Sequence, residues 1–276
     1  MRPAEVARRG GEYLARHGVA SADVDAETLL LQILDIDRAA LFTRDAGLTT
    51  AEAKAFGRAL CRRCTGTPLQ HLTGEQGFRR LVIEVRPGVF VPRPETEVLV
   101  GVALEALSGS APIVVDLCTG TGVVALAIAD EYPGARVFAT DASAAAVELA
   151  ADNAKRLGLD VRPCLGDLFT PLPPTLRGAC DLVVANPPYV PPADEASLPR
   201  EVRADPARAV IGVVGLYERL FEEASSWLRP GGALVVEIDE RAGREVAAAA
   251  GRAGFTRVRV VPDLAGRDRV IDARRP

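Results

Sequence analysis

Apolar positions recur at helical spacing through the first 65 residues. Ala26, Leu29, Leu30, Ile33 and Leu34 form a 3.6-period stripe, with Ser21 or Asp23 placed to cap its start. Val6, Leu14 and Val19 predict an earlier helix, and a third runs from Thr50 to about Cys64 with Phe56 and Leu60 inward. Between about 75 and 92 the pattern changes to alternation: Phe78, Leu81, Ile83 and Val85, then Val89, Phe90 and Val91 after Arg86-Pro87-Gly88. This predicts a β-hairpin with a Pro-Gly turn. From residue 112 onward, short apolar runs alternate with helical stretches. The predicted strands are Ile113–Leu117, Arg136–Thr140, Asp160–Pro163, Leu182–Ala185, Ala233–Ile238, Arg257–Val261 and Arg269–Asp272, with helices such as Val123–Tyr132 and Ala144–Leu157 between. Buried strands separated by helices make an α/β sheet with crossover connections. Asp263–Asp268 is too short for a helical crossover, so the last strand is expected antiparallel to its neighbour.

Composition narrows the function classes. The 276 residues are 48% hydrophobic, enough for a substantial core. The net charge is −4. Residues 1–80 carry 12 Lys/Arg against 10 Asp/Glu, and the remainder carries 21 against 27. A protein that grips duplex DNA through its phosphates shows a large basic surplus, which is absent here. No apolar run approaches the ~18–20 residues of a membrane span, and the charged opening Met1–Glu5 lacks the apolar core of a signal peptide. A cytoplasmic protein is expected. Five scattered cysteines do not read as a disulfide framework, and Cys61-x-x-Cys64 with only His17 and His71 elsewhere does not make a closed metal site, so no metal is expected.

In an open α/β sheet, ligands bind beyond the carboxyl ends of the strands, so the residues just after each strand carry the chemistry. The first strand ends in Asp116-Leu117-Cys118-Thr119-Gly120-Thr121-Gly122, a glycine turn that lets backbone approach a ligand and opens the next helix. The second ends in Asp141, about 20 residues past that turn, where a carboxylate suits a ribose diol. Asp141 is also placed to cap the following helix, a role Ser143 could take instead. The third leads into Gly166-Asp167-Leu168-Phe169, with an acid for an adenine amine and an apolar side chain to cover the ring. The fourth ends in Asn186-Pro187-Pro188-Tyr189. Two prolines hold a rigid turn that offers a carbonyl, an amide and an aromatic ring. The Asn186 oxygen and the Pro187 carbonyl suit the two hydrogens of an NH2 group, and Tyr189 suits stacking on its plane. Together these strand ends point to a class I, Rossmann-like methyltransferase of seven strands, dependent on S-adenosylmethionine and acting on a planar NH2 nitrogen.

The chain also resembles one family over nearly its whole length: the PrmC/HemK protein N5-glutamine methyltransferases, which modify peptide chain release factors. The resemblance rests on Pro68 to Gly74, Phe90-Val91-Pro92-Arg93-Pro94-Glu95-Thr96-Glu97, Asp116 to Gly122, Asn186 to Tyr189 and Asp263 to Asp268. It implies a small N-terminal helical domain over 1–74 that docks substrate, a connecting hairpin over 75–92, and a methyltransferase domain over 93–276. It implies that Arg93, Glu95 and Thr96 lie beside the cofactor. Cys118, Thr119, Gly120, Thr121, Gly122, Asp141, Asp167, Leu168 and Asn186 would line its pocket. Asn186, Pro187, Pro188 and Tyr189 would hold the glutamine of a Gly-Gly-Gln segment, with Asn186, Pro187 and Tyr189 as the catalytic set. The implied partner is a release factor, with no direct nucleic-acid contact, no membrane and a monomeric state.

Two departures bear on substrate recognition. The family's Glu-Pro reads Asp205-Pro206 here, and the acidic turn after it is shortened to Ile211-Gly212-Val213-Val214-Gly215. Glu237 is followed by Ile238-Asp239 where a glycine often stands. An adenine-N6 methyltransferase is the alternative enzyme, since its NH2 is equally planar, but it has to extract a base and calls for a basic recognition element. A paralogue that methylates or merely binds another protein is the other alternative.

Overall fold

The computed structural model describes residues 1–276, which divide into two compact units. The first comprises Met1–Glu75 with Pro199–Ala204, and the second Gln76–Leu198 with Asp205–Pro276. No helix is long and apolar enough to cross a membrane.

The first unit is helical: α1 (Pro3–Arg16), α2 (Ala22–Leu34), α3 (Arg38–Thr43), α4 (Thr50–Cys64) and α5 (Leu69–Thr73). The apolar stripe read from the sequence is its core, with Leu14, Ala26, Leu29, Leu30, Leu41, Phe56 and Leu60 buried together. Ser21 stands at the start of α2 but makes no capping hydrogen bond, and Asp23 lies inside the first turn. The better-built start belongs to α4, where Thr49 and Glu52 form a reciprocal capping box. Arg63 is buried on α4. It donates to Asp25 on α2 (2.6 Å) and to Glu201 (2.5 Å) in the segment that rejoins this unit late in the chain.

A two-stranded sheet, β1 (Glu75–Phe78) and β2 (Leu81–Glu84), follows α5, with all but Glu75 in the second unit. The predicted hairpin exists, but its turn is Arg79-Arg80, not Pro87-Gly88, and Val89–Val91 form no strand. A tight turn needs positive φ, and Arg79 supplies it (φ 50°) because its backbone N–H donates to Glu97 and its guanidinium is held by Glu131. Val91 donates its N–H to the buried Asp205 carboxylate, so it is satisfied without a strand partner.

After the hairpin come α6 (Thr96–Ala106), β3 (Ile113–Leu117), α7 (Val123–Glu131), β4 (Arg136–Asp141), α8 (Ala144–Leu157), β5 (Val161–Leu165), β6 (Cys180–Ala185), α9 (Ala207–Val210), α10 (Leu216–Trp227), β7 (Leu228–Glu237), α11 (Gly243–Arg252), β8 (Thr256–Pro262) and β9 (Asp268–Arg274). The last seven strands form one sheet in the order β5-β4-β3-β6-β7-β9-β8. Strands β5 through β7 are parallel, and β9 runs antiparallel to both β7 and β8, as its short connection requires.

Alternation along each strand buries both faces of the sheet. Val115, Leu117, Val183, Leu234 and Val236 pack under α10 and α11, while Val114, Leu182, Val184 and Val235 pack under α6 and α7. The chain leaves β3 toward β5 and then returns to β6 on the other side. That reversal opens a crevice at the carboxyl ends of β3 and β6.

Candidate active site

The glycine turn after β3 is organised by Asp116, which is buried. Its carboxylate accepts from the Thr119 hydroxyl (2.5 Å) and from the Ala125 N–H (3.2 Å), one of the unsatisfied donors of the first turn of α7. Burial pushes its pKa up to about 7, against the pull of those two hydrogen bonds. Cys118 takes a left-handed conformation (φ 57°), and burial beside Asp141, Asp116 and Asp167 drives its thiol pKa up, so it is no nucleophile. Gly122 is left-handed as well (φ 84°), and a side chain there would press on Ala150 of α8 at 3.0 Å.

Asp141 closes this loop from the neighbouring strand. One carboxylate oxygen accepts from the Gly120 N–H (3.0 Å) and the other from the Ser143 N–H (2.8 Å). It does not cap α8; Ser143 does, accepting from Ala146 N–H. A half-exposed carboxylate is thereby fixed at the lip of the crevice. Leu168 is buried in a left-handed turn (φ 46°), and Phe169 beneath it stacks on Trp227 (5.3 Å between ring centres). Asp167 is exposed and ion-paired with Arg219 (2.8 Å).

At the end of β6, the Asn186 amide donates its N–H to the Thr96 hydroxyl (3.2 Å). That bond turns the Asn186 carbonyl oxygen away from Thr96 and leaves it as an acceptor. The Tyr189 hydroxyl donates to Glu237 (3.3 Å), which is buried at the end of β7. Burial raises the Tyr189 pKa, with the Glu237 charge adding to it. Glu237 itself is pushed up to about 7 by burial, against the Thr96 hydroxyl, the Arg269 charge and the Tyr189 hydroxyl.

The predicted residues thus fall into two connected groups. Cys118–Gly122 and Asp141 form one, and Thr96, Asn186 and Tyr189 form the other. Arg93 and Glu95 stand apart from both in their bonding. Arg93 donates to Asp205 and lies over the Phe90 ring (5.1 Å), and Glu95 faces Arg267 (3.5 Å). Three buried carboxylates, Asp116, Glu237 and Asp205, were not assigned roles from the sequence. Asp116 was quoted only as part of the glycine turn. Asp205 is held up to about 6 by burial, with Arg93 and the Val91 N–H opposing.

The residues fit a nucleoside cofactor. The place a side chain would occupy at Gly120 has no atom within 4 Å, so the backbone there faces open space. The Thr121 hydroxyl in the same loop is buried without a partner in the chain, a polar group that a ligand can satisfy. A carboxylate, backbone N–H groups and an apolar side chain are groups chemically suited to a ribose, a charged tail and an adenine ring.

Known proteins place the chain. Residues 5–74 match the family described as PrmC N-terminal domain, and residues 82–202 match the Methyltransferase small domain. A release factor glutamine methyltransferase of Deinococcus radiodurans is 44% identical over 270 residues, covering 95% of this chain and 94% of that protein. The protein of the same name from Moorella thermoacetica is 41% identical over 271 residues, with the same coverage of each. Among solved structures, a methyltransferase from Pyrococcus furiosus superposes with a TM-score of 0.52 at 20% identity, covering 70% of this chain and 87% of that one. A ribosomal protein L11 methylase from Lactobacillus delbrueckii subsp. bulgaricus superposes with a TM-score of 0.50 at 22% identity, covering 70% and 84%. These two likenesses are to the fold.

Proposed function

The chain belongs to the release factor glutamine methyltransferase family, and from that premise we propose how its own residues methylate the side-chain amide nitrogen of a Gly-Gly-Gln glutamine in a peptide chain release factor. S-adenosylmethionine supplies an electrophilic methyl group on a positively charged sulfur. Asp141 would take the ribose hydroxyls, the Cys118–Gly122 backbone would lie along the amino-acid tail, and Leu168 would cover the adenine. Asp167 serves the adenine amine. Its exposed pairing with Arg219 is worth only about 0–1 kcal/mol, so exchanging partners is cheap. Arg93 and Glu95 edge the cofactor site, Arg93 anchored by the buried Asp205.

The observation that carries this reading is the orientation of Asn186. With its N–H committed to Thr96, its carbonyl oxygen and that of Pro187 present two acceptors at one strand end. An amide NH2 has two donors to match them, and Tyr189 covers its plane. Such contacts would orient the acceptor nitrogen toward the methyl group, and orientation of this kind can remove several kcal/mol of barrier. The amide nitrogen is a weak nucleophile and acquires positive charge as the new bond forms. The two carbonyl oxygens stabilise that charge without reorganising. The nitrogen becomes strongly acidic only once methylated, so its proton leaves to water and no general base is required beforehand.

The adenine-N6 alternative is separated by offering purified release factor and unmethylated DNA side by side with labelled cofactor. Label is expected in the protein alone. Incorporation into DNA at a comparable rate would assign the Asn186 turn to a base.

A further inference from the structure

The Asn-Pro-Pro-Tyr turn does not stand alone: a buried carboxylate lies behind it. We propose that Glu237 is a positioning residue for methyl transfer, holding the Tyr189 hydroxyl directly and the Asn186 amide by way of Thr96. The proposal rests on the reading of the β6 end as the acceptor site and deepens it.

The argument begins with cost. A carboxyl at the end of a central strand, 1% exposed, is expensive unless its partners repay the lost water. Glu237 has no closed ion pair to repay it. Arg269, whose charge favours the ionised form of Glu237, is itself committed to Asp263 (3.3 Å) and Glu240 (3.8 Å). What faces Glu237 from the neighbouring elements is instead the acceptor site. Tyr189 donates to it from the turn after β6. Thr96, at the start of α6, accepts from Asn186 and has its own hydrogen left to offer, and its hydroxyl favours the ionised form of Glu237. Tyr217 on α10 donates to the backbone carbonyl of Glu237 (3.1 Å) and so fixes the strand end beneath it. Arg269 on β9 also favours the ionised form, while Glu95 ahead of α6 opposes it; the charge on Asp239 is felt at Tyr189 and Tyr217.

The consequence is a relay of orientation. An ionised Glu237 only accepts: Tyr189 donates to its Oε1, and its Oε2, buried without a partner in the chain, is open to the Thr96 hydrogen. Thr96 then has only lone pairs left for Asn186, which has to present its N–H to Thr96 and its oxygen to the substrate. A protonated Glu237 has a hydrogen of its own to place and competes with those donors. The Asn186 amide then loses the constraint that keeps its oxygen aimed outward. Because burial brings the carboxyl to about 7, this change falls near neutral pH. A displacement of about 1 Å at a reacting group is enough to cost on the order of 100-fold in rate.

The test uses the full chain with S-adenosylmethionine and purified release factor, measuring kcat across about pH 5.5–8.5 and the cofactor Kd by titration. Glu237→Gln keeps the shape and removes the charge. It is expected to lower kcat roughly 10- to 100-fold, to leave the cofactor Kd within about twofold, and to abolish the rise of kcat through pH 7 that the wild type is expected to show. The double variant Glu237→Gln, Tyr189→Phe is expected to be no slower than the slower single, as for residues acting through one another. A Glu237→Gln enzyme within about twofold of wild type that keeps the same pH rise overturns the proposal. So does a double variant whose losses multiply. Should Glu237→Gln not fold, Tyr189→Phe and Thr96→Val carry the test: each is expected to lower kcat and flatten the pH profile, and an unchanged profile in both overturns it. A wild type that transfers no methyl to release factor removes the underlying reading instead, and the control shows that separately.

Discussion

On the proposed reading Asn186 and Asp141 divide the work of the site, and their variants are expected to fail differently. Asn186→Ala removes one carbonyl acceptor from the reacting nitrogen and touches nothing in the glycine turn. Its kcat is expected to fall about 10²–10³-fold, the range for losing one preorganised electrostatic partner, with the cofactor Kd unchanged by calorimetry. Asp141→Ala removes the acceptor of the Gly120 N–H along with the ribose contact, and is expected to weaken cofactor binding more than about tenfold while saturating cofactor restores most of kcat. An unchanged cofactor Kd would remove Asp141 from the ribose. The strand-end positions of these two residues were legible because each stands in a local pattern. Glu237 was not. Its meaning comes from Tyr189, 48 positions away, and from Thr96, farther still. Asp205 was noticed only as a departure from Glu-Pro, and its partner Arg93 lies 112 positions earlier.

Elements repeat the lesson at longer range. The strands were readable because buried β runs carry their own period, and the helix Ala144–Leu157 was readable to the residue because Ser143 caps it and Gly158 ends it. The hairpin turn was misplaced because Pro-Gly is the stronger local signal. The real turn depends on Glu97 and Glu131, which sequence spacing does not bring to Arg79. The joining of Pro199–Ala204 to the helical unit left no local trace either, since it rests on Glu201 meeting Arg63. That arginine is nearly fully buried, so Arg63→Met strands Asp25 without a charge partner. It is expected to destabilise the helical unit by about 3–5 kcal/mol, read by denaturant unfolding. Gly122→Ala places a side chain on a left-handed backbone and against Ala150. It is expected to cost roughly 1–3 kcal/mol and to weaken cofactor binding, since α7 can no longer start where Asp116 meets it.

At the scale of the whole molecule, three buried carboxyls supply one part of the pH dependence, while Asp263, lowered to about 2, works in the opposite direction. Asp116 and Glu237 are raised to about 7 and Asp205 to about 6, so between about pH 4 and 7 these three groups bind more protons in the folded chain than in the unfolded one. Their contribution to stability is complete below their unfolded values and is lost as pH rises through 6 to 7. Glu237→Gln escapes its share of that loss, so its melting temperature relative to wild type is expected to climb between about pH 5 and 8. A difference that stays flat would place the Glu237 carboxyl in an ordinary environment. Charge at this scale also separates the two enzymes that an Asn-Pro-Pro-Tyr turn can serve: a chain of net charge −4 has no phosphate-binding surplus, and its family modifies a protein. The most direct measurement incubates the full chain with S-adenosylmethionine and a purified release factor, then fragments the Gly-Gly-Gln peptide by mass spectrometry. The expected result is one added methyl, located on the glutamine side-chain nitrogen, present with the wild type and absent with Asn186→Ala. A methyl on any other residue, or an undiminished yield from Asn186→Ala, would contradict the account.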